Sequence, residues 1–522
     1  MKKILIANRG EIAVRIIRTC RDMGITAVAV YSECDRTALH VRLADEAYQI
    51  GPDAASDSYL RIDKLIDVAR RSGADAIHPG YGFLAENPQF ADACAAARLT
   101  FIGPSAQAMA AMGSKTGARR IAAGVGVPVV PGTEAPFTNV TADGELLAAG
   151  AAIGYPLLVK AVAGGGGKGM RIVRRPEDLA GAARMARSEA RSAFGDDQVY
   201  FERLVERPRH VEVQLLGDHH GTVLPFVERE CSIQRRHQKL VEETPSPAVS
   251  PELRANLAAA AAAIGRAAGY ASAGTVEFLL DAAGHYYFLE MNTRLQVEHP
   301  VTEAVTGTDF VRMQIEIARG AWLADLTADL KVGTTKANDV KADLTEAHGH
   351  AIECRIYAED PDEGFLPSPG LITHLRPPSG PGIRDDSGAR EGWRVPTAYD
   401  PLISKVIAWG PDRASAIARM GRALREYDIR GIKTTVRFCR DLIESAAFRA
   451  GDFDTATVDR MLDSFGKLKV QHRYASGPAD DELAAIAAAL YAHREARAPR
   501  QTVQSAESLW SRQARVENLR ES

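Results

Sequence analysis

Short apolar runs alternate with amphipathic stretches through the first hundred residues of the chain. The runs KILIA (residues 3–7), TAVAVYS (26–32), AIHPG (76–80) and TFIGP (100–104) predict strands, and the stretches at 8–24, 61–73 and 89–99 predict helices. This alternation predicts a doubly wound, mostly parallel sheet. Because ligands of such sheets bind beyond the carboxyl ends of the strands, the loops at 7–11 and 78–87 are candidate binding loops.

The rest of the chain extends this α/β pattern, with α+β character in part. Strands are predicted on both sides of a glycine run (155–162 and 171–175), followed by a helix at 178–192, a strand at 210–218 and a hairpin at 275–292. The predicted organisation is a βαβ domain at 1–112, a second domain at 113–320 with a mobile lid at about 131–203, a polar surface insertion at 321–347, a mixed-sheet domain at 348–465, and a tail of unknown role at 466–522.

Four consecutive glycines at 164–167 give the first chemical signal. Backbone N–H groups without side chains can approach a phosphate closely. The run is neither a Walker A motif nor a GxGxxG turn between strand and helix, since a second strand follows it. A hairpin of this kind suits a flexible lid over phosphates, near which Lys115 and Lys160 would place positive charge. The alternative is a surface hairpin with no ligand.

Two carboxylates interrupt the otherwise apolar strands of the predicted hairpin at 275–292. These are Glu277 in TVEFLLD and Glu290 in YYFLEMN. Two carboxylates about 4 Å apart repel by about 4 kcal/mol at an effective dielectric near 20. A divalent cation between them removes that cost, and oxygen ligands favour magnesium or manganese. The alternative is that both side chains face solvent.

Polar residues then recur at every second position: Glu290, Asn292, Arg294, Gln296 and Glu298. If the segment stays extended, these side chains share one face and form a reaction surface that runs from metal ligands to a base. Pro300 would then end any pairing with a neighbouring strand. A solvent-facing strand would alternate in the same way.

Three further sites remain ambiguous from the residues alone. His237 and Lys239 would share one face of a basic cluster that also holds Gln234, and such a cluster either stabilises transferring charge or is merely solvated. His210 is a lone histidine with no decisive context. Arg355 lies beside Glu353, with which it could form a purely structural ion pair.

Composition excludes several classes of protein. The 522 residues carry a net charge of −3, so nothing indicates a nucleic-acid or anionic-membrane partner. The six cysteines are scattered singly, which argues against a zinc site and a disulfide framework. We find neither a signal-peptide h-region nor a transmembrane run, and therefore expect a cytoplasmic protein.

Taken together, the motifs resemble the ATP-grasp superfamily and, within it, the biotin carboxylases. The resemblance covers residues 1 to about 464 and rests on ILIANRGEIAVRIIR, HPGYGFLAEN, KAVAGGGGKGMR, RECSIQRRHQKLVEE, EMNTRLQVEHPVTE, AIECRIYAEDP, FLPSPG and YDPLISK. It implies an N-terminal biotin carboxylase domain, a central ATP-grasp domain and a biotin carboxylase C-terminal domain.

The resemblance also implies site roles. Those for ATP fall on Lys115, Lys160, Gly165, Gly166, Gly167, Met170, Glu202, Leu204, His210, Gln234, His237, Glu277, Leu279 and Glu290. Those for magnesium or manganese fall on Glu277, Glu290 and Asn292, and those for bicarbonate on Lys239, Arg294, Gln296 and Val297. Glu298 would be the general base, kept ionised by nearby Arg294, and Tyr81, Gly82 and Arg355 would contact biotin. Lys239, Arg294 and Arg355 would act in catalysis beside it.

The implied reaction is ATP- and bicarbonate-dependent carboxylation of biotin through carboxyphosphate. No Met-Lys-Met biotinylation motif occurs, so biotin would be borne by a separate carboxyl carrier protein. The family further implies separate carboxyltransferase subunits and a homodimer. Two alternatives stay open: another ATP-grasp ligase that joins a carboxylate to an amine, and a non-catalytic assembly subunit.

Overall fold

The computed structural model describes residues 1–133, 135–138, 141–162, 170–328 and 344–463. The predicted phosphate-binding glycines Gly165, Gly166 and Gly167, most of the predicted insertion and the tail at 466–522 lie outside these ranges. All elements given below belong to the unit Met1–Val458. Within the described ranges, no helix combines the length and the apolar character needed to cross a membrane.

A five-stranded parallel sheet forms the N-terminal part of the chain. Its elements are β1 (Lys3–Ile6), α1 (Gly10–Asp22), β2 (Thr26–Ser32), α2 (Leu39–Leu43), β3 (Glu46–Gly51), α3 (Ile62–Ser72), β4 (Ala76–His78), α4 (Pro88–Ala96), β5 (Thr100–Phe101) and α5 (Ala106–Gly113). The order β3-β2-β1-β4-β5 confirms the predicted doubly wound sheet and adds β3, which the pattern did not predict. The loops after β1 and β4 meet where the winding reverses, which is where ligands of such sheets bind.

A small antiparallel sheet occupies the predicted lid. The elements of this region are α6 (Lys115–Gly124), α7 (Asp143–Ile153), β6 (Leu157–Ala161), β7 (Arg171–Val173), α8 (Leu179–Phe194) and β8 (Val199–Arg203). The strand order is β7-β6-β8. Leu157, Val159 and Leu179 are buried in a core of its own. The strands predicted on either side of the glycine run are therefore present.

An eight-stranded antiparallel sheet dominates the remainder. The elements are β9 (Arg209–Gly217), β10 (Val223–Arg235), β11 (Gln238–Thr244), α9 (Pro251–Ala267), β12 (Ser272–Leu280), β13 (Tyr286–Asn292), α10 (His299–Thr306), α11 (Phe310–Ala318), α12 (Leu323–Thr327), β14 (His350–Tyr357), β15 (Glu359–Asp360), β16 (Leu366–Pro367), β17 (Gly370–Leu371), β18 (His374–Arg376), β19 (Ile383–Ser387), β20 (Arg394–Val395), β21 (Leu402–Gly410), α13 (Arg413–Glu426), β22 (Asp428–Arg430), α14 (Val436–Glu444) and α15 (Ala446–Ala450). The order is β13-β12-β9-β10-β11-β14-β21-β19, so the sheet continues across the predicted boundary at residue 348.

One hydrophobic core joins the two large sheets. Ile4 of β1 and Ile12 of α1 pack in the same cluster as Leu216 of β9, Phe226 of β10 and Leu295. Burial of such side chains contributes about 1.5–3 kcal/mol each. The shared core holds the loops after β1 and β4 against the eight-stranded sheet.

The predicted extended run from Glu290 to Glu298 is wrong beyond Asn292. There β13 ends, the chain turns, and α10 begins at His299 with Pro300 in its first turn. The N–H of Thr293 donates to Glu86 rather than to a strand, at 2.9 Å. Proline is well tolerated at the start of a helix because no N–H is needed there, so Pro300 starts a helix instead of ending a strand.

Two other expectations also change. Arg236 and His237 form the turn between β10 and β11 with φ of 48° and 65°, so strand alternation cannot place His237 and Lys239 on one face. The described ends of the predicted insertion are not solely surface chain, because Leu323 and Leu344 are buried in the shared core.

Replacing Leu295 with alanine tests the shared core. The side chain is fully buried, so Leu295→Ala should lower the free energy of unfolding by about 2–5 kcal/mol, the usual range for leucine-to-alanine cavities. Denaturant unfolding measures this change. Leu366→Ala is the control, since Leu366 is 61% exposed and the change should stay within about 0.5 kcal/mol. Equal effects of the two substitutions would contradict the packing described.

Candidate active site

A largely buried lysine, whose side chain is 13% exposed, lies at the centre of the candidate site. Lys239 Nζ donates to Glu212 Oε2 at 2.6 Å, Glu277 Oε1 at 3.0 Å and Glu298 Oε1 at 2.6 Å. Glu212 and Glu277 face each other in register on β9 and β12, while Glu298 comes from the turn before α10. Burial alone would lower the pKa of Lys239, but the three carboxylates hold it well above its ordinary value.

Glu298 lies between this lysine and Arg355. Arg355 Nη2 donates to Glu298 Oε2 at 3.0 Å, and its Nε donates to Glu242 Oε1 at 2.6 Å. Burial would raise the pKa of Glu298, but Lys239, Arg355 and Arg229 hold it well below its ordinary value. Glu298 is therefore ionised at neutral pH, as expected. The cations chiefly responsible are these three rather than the expected Arg294.

Arg355 does not pair with its sequence neighbour Glu353. Glu242 and Glu298 accept its hydrogen bonds, whereas neither carboxylate oxygen of Glu353 has a hydrogen-bond partner among the described residues. Burial raises the pKa of Glu353 well above its ordinary value. The alternative of a structural Arg355–Glu353 pair is therefore wrong, because the guanidinium is turned toward the candidate site.

Sequence reasoning missed the residues that hold this centre in place. Arg229 is fully buried and donates to Glu212 at 2.5 Å and to Gln296 at 2.8 Å. Glu242 anchors Arg355, and Glu86 accepts from Arg294 Nε at 2.8 Å. A signal was available for Glu212, which lies between two valines of β9, as Glu277 lies between apolar residues of β12, but none was available for Glu242 in the mostly polar β11.

The candidate metal ligands meet on the β12–β13 hairpin. Glu277 and Glu290 are direct cross-strand partners, as the two strands predicted. Burial and the charge of Glu277 raise the pKa of Glu290. Asn292 donates to Glu277 Oε1 at 2.9 Å and its Oδ1 accepts from Arg294 at 3.0 Å. Two carboxylates with an adjacent amide oxygen fit a hard cation such as Mg²⁺.

Two other buried groups have ligand atoms close enough to share an ion. They are His210 with Glu212 and Glu277, and Glu212 with Cys231 and Glu298. The Lys239 ammonium already contacts the carboxylates of both groups. A metal ion there would have to displace it, so we prefer the set on the hairpin.

The candidate nucleotide residues line the region between the lid and the hairpin. Lys160 Nζ donates to Glu202 Oε2 at 2.9 Å, while burial and the charge of Lys160 lower the pKa of Lys115. His210 Nε2 is 3.0 Å from Glu277 Oε2, and burial would lower the pKa of His210 but Glu277 raises it. The remaining candidates are placed by their elements: Met170 before β7, Leu204 after β8, Gln234 at the end of β10, His237 in the following turn, and Leu279 opposite His210 on β12.

Among the candidate bicarbonate residues, Gln296 shares the Glu277 carboxylate with the central lysine. Gln296 Nε2 donates to Glu277 Oε1 at 2.9 Å, and the carbonyl of Val297 accepts from Lys405 at 2.7 Å. Arg294 reaches Asn292 and Glu86 instead of the centre of the cluster.

Two of the three candidate biotin residues, Tyr81 and Gly82, lie on the loop after β4, and the third, Arg355, lies on β14. The side chain of Asn8 donates to the carbonyls of Pro79 and Tyr81 at 2.7 and 2.8 Å and so shapes this loop. Gly82 has a φ of 67°, which favours glycine. The Tyr81 hydroxyl donates to Glu11.

Family models match almost the whole described chain. Residues 1–109 match the biotin carboxylase N-terminal domain, 114–326 the carbamoyl-phosphate synthase L chain ATP binding domain, and 353–460 the biotin carboxylase C-terminal domain. Among curated proteins, biotin carboxylase 1 of Bacillus subtilis is 51% identical over 456 residues, which are 87% of this chain and 97% of that protein. A pyruvate carboxylase subunit of Methanothermobacter thermautotrophicus is 50% identical, covering 88% of this chain and 89% of that protein.

Solved structures agree. A biotin carboxylase–β-γ-ATP complex from Campylobacter jejuni matches with a TM-score of 0.81 and 44% identity over 88% of this chain and 98% of that one. The biotin carboxylase domain dimer of Hydrogenobacter thermophilus 2-oxoglutarate carboxylase, in complex with MgADP, ADP and bicarbonate, also matches with a TM-score of 0.81 and 44% identity, over 88% and 97%. Fold and site together define an ATP-dependent ligase of the ATP-grasp class. The chain belongs to the biotin carboxylase family.

Replacing Glu212 with glutamine tests the buried charge network. The substitution keeps the shape but leaves Arg229 and Lys239 without one carboxylate, so Glu212→Gln should destabilise the fold by about 3–5 kcal/mol. Denaturant unfolding measures the loss. The control is Glu46→Gln in the partly exposed pair with Lys3, where about 0–1 kcal/mol is expected. A Glu212→Gln protein as stable as the control would show that Glu212 is not needed to balance the buried cations.

Proposed function

We propose that this protein carboxylates biotin on a separate carrier protein, using ATP and bicarbonate and forming carboxybiotin, ADP and phosphate. The observation that carries the proposal is the ionised, buried Glu298 held between Lys239 and Arg355. On one side, Glu298 shares the Lys239 ammonium with Glu277, which belongs to the candidate metal and nucleotide residues. The other leads through Arg355 toward the candidate biotin loop.

The nucleotide end positions the phosphates for transfer to bicarbonate. Lys115, Lys160 and His210 supply positive charge, and the roles proposed for the remaining nucleotide residues follow their motifs. Glu277, Glu290 and Asn292 would hold Mg²⁺ or Mn²⁺, which offsets the negative charge of the transferring phosphoryl group. In the structure the carboxylate of Glu202 neutralises Lys160, so nucleotide phosphates would compete with Glu202 for this ammonium.

The bicarbonate end activates the acceptor. Lys239, Arg294, Gln296 and the Val297 backbone would bind bicarbonate, and Glu298 would take its proton. A bicarbonate oxygen then bonds to the γ-phosphorus as the bond to ADP breaks, which gives carboxyphosphate. The bond between the carboxyl carbon and the phosphate oxygen then breaks, the carboxyl group passes to the ureido nitrogen of biotin, and the proton lost by that nitrogen goes to the released phosphate. Arg294 and Arg355 would stabilise the charge that develops on the ureido oxygen.

The proposed partner proteins are inferred from the relatives of this chain and not from the geometry of the site. Biotin would arrive on a carboxyl carrier protein, and a carboxyltransferase would pass the carboxyl group to its final acceptor. Relatives include methylcrotonoyl-CoA carboxylase alpha subunits, of which this chain spans 61–64%, and the pyruvate carboxylase subunit described above. Because a domain dimer is among the matching structures, we include a homodimer in the proposal.

ATP hydrolysis by the purified protein tests the function directly. Hydrolysis should require bicarbonate, because bicarbonate accepts the phosphoryl group, and should rise when free biotin is added, because biotin consumes the carboxyphosphate that forms. A coupled assay for ADP release measures this. A hydrolysis rate that does not depend on bicarbonate but rises with another carboxylate and an amine would support a different ATP-grasp ligase. A complete lack of hydrolysis would support an assembly subunit.

Glu298→Gln tests the assigned base. Glutamine keeps the shape and one hydrogen-bond acceptor but cannot take a proton, so biotin-dependent carboxylation should fall by about 10²–10⁴-fold. Fixation of labelled bicarbonate into biotin measures the rate. The exposed Glu363→Gln is the matched control and should keep full activity. Undiminished carboxylation by Glu298→Gln would overturn the role of Glu298.

A further inference from the structure

A second buried lysine, Lys405, touches both proposed substrate regions and has no part in the mechanism above. Lys405 lies on β21 and is fully buried. Its Nζ donates to the carbonyl of Val297 at 2.7 Å and lies 3.1 Å from Glu11 Oε1. That same Glu11 oxygen accepts from the Tyr81 hydroxyl. One ammonium group thus connects the peptide before Glu298 with the ring proposed to contact biotin.

Three parts of the chain bring these groups together. Glu11 is in the first turn of α1, directly after β1, and Tyr81 is in the loop after the neighbouring β4. Lys405 is the cross-strand partner of Arg355. Gly388 lies so close to Gly10 and Glu11 that a Cβ there would come within 2.6 Å of the Glu11 nitrogen. Gly388 directly follows β19, which pairs with β21, so this backbone contact fixes Glu11 against the pair of strands that includes the strand of Lys405.

A purely structural role does not require a charge at this position. Burying an ammonium costs several kcal/mol unless its partners compensate, and an apolar side chain of similar size often packs as well. Lys405 also faces the carboxyl groups of Glu353 and Asp386: its charge opposes the rise that burial causes in the pKa of Glu353, and together with Arg384 it lowers the pKa of Asp386. Its two close polar contacts among the described residues nevertheless go to the two substrate regions.

We propose that Lys405 and Glu11 are positioning residues that couple the biotin region to the bicarbonate region. Lys405 fixes the Val297 peptide, and with it the turn that carries Glu298. Glu11 accepts a hydrogen bond from the Tyr81 hydroxyl and thereby fixes the Tyr81 ring. The inference rests on the proposed function. It adds that the position of the Tyr81 ring in the biotin region depends on the position of the Val297 peptide in the bicarbonate region, and the reverse.

Steady-state kinetics of Lys405→Met test the positioning role. Methionine keeps the length of the side chain but loses the charge and both contacts. The KM values for free biotin and for bicarbonate should each rise about tenfold or more, which is the loss expected for a hydrogen bond to a charged group. The KM for ATP should change less than about twofold, a difference too small to reflect a lost hydrogen bond. Lys433→Met at an exposed site is the control and should change none of them.

A double-mutant cycle tests the coupling itself. Tyr81→Phe keeps the ring but removes the hydroxyl that reaches Glu11. If Lys405 acts on biotin through Glu11 and Tyr81, the effects of Tyr81→Phe and Lys405→Met on the biotin KM should be strongly non-additive. Burial raises the pKa of Glu11 to about 7, so the cycle is measured above that pH, where the carboxyl group is ionised. There Glu11→Gln should resemble Lys405→Met more than Tyr81→Phe, because it loses the charge that contacts the ammonium while keeping an acceptor for the hydroxyl.

Each outcome decides the proposal. Additive effects, or a rise in the bicarbonate KM alone, would overturn the coupling. Unchanged biotin and bicarbonate KM values in a folded Lys405→Met protein would overturn the positioning role. If Lys405→Met does not fold, the pair Tyr81→Phe and Glu11→Gln provides the same cycle. Absence of bicarbonate-dependent, biotin-stimulated hydrolysis in the unaltered protein would instead refute the proposed function.

Discussion

The candidate site depends on the compensation of charge among largely buried side chains of the eight-stranded sheet. Lys239 donates hydrogen bonds to Glu212, Glu277 and Glu298. Arg229 and Arg355 supply the other positive charges that compensate these carboxylates. Leaving any one of these charges unpaired costs about 3–5 kcal/mol, which is a large part of the stability of an ordinary fold. The strands therefore cannot shift in register without exposing a buried charge, and this constraint holds the reactive groups at fixed distances.

The charges around Glu298 are better compensated than those at the nucleotide end of the site. This difference matches the proposed chemistry. Lys239, Arg355 and Arg229 hold the pKa of Glu298 well below its ordinary value, so the proposed base is ionised before any substrate arrives. At the nucleotide end, burial and the charge of Lys160 lower the pKa of Lys115, and burial beside Glu277 raises the pKa of Glu290. This is the end that gains most when phosphates and a divalent cation bind. The site is thus preorganised for proton transfer but not fully balanced until the nucleotide is present.

The local patterns of the sequence predicted nine of the 22 strands found in the described residues, and among them the hairpin with Glu277 opposite Glu290. Hydrophobic periodicity and turn residues are local features of the sequence, so they can be interpreted without a structure. The buried network was missed because its partners are far apart in sequence: Arg355 and Glu242 are separated by 113 positions, and Arg229 and Gln296 by 67. The turn after Asn292 was missed for a different reason. Alternating polar residues look the same in an extended chain and in a turn, and proline can either end a strand or begin a helix.

The continuity of the large sheet explains why the chemistry cannot be assigned to one predicted domain. β14 pairs with β11, so Arg355 reaches Glu298 from beyond the predicted boundary at 348, and β21 next to it carries Lys405. The N-terminal sheet contributes Glu11 and Tyr81 through a core that it shares with β9 and β10. A motion of the N-terminal loops would therefore pull on Lys405 and on the Val297 peptide at the same time. Because the base follows directly after that peptide, the position of Tyr81 and the position of Glu298 are two results of one buried contact.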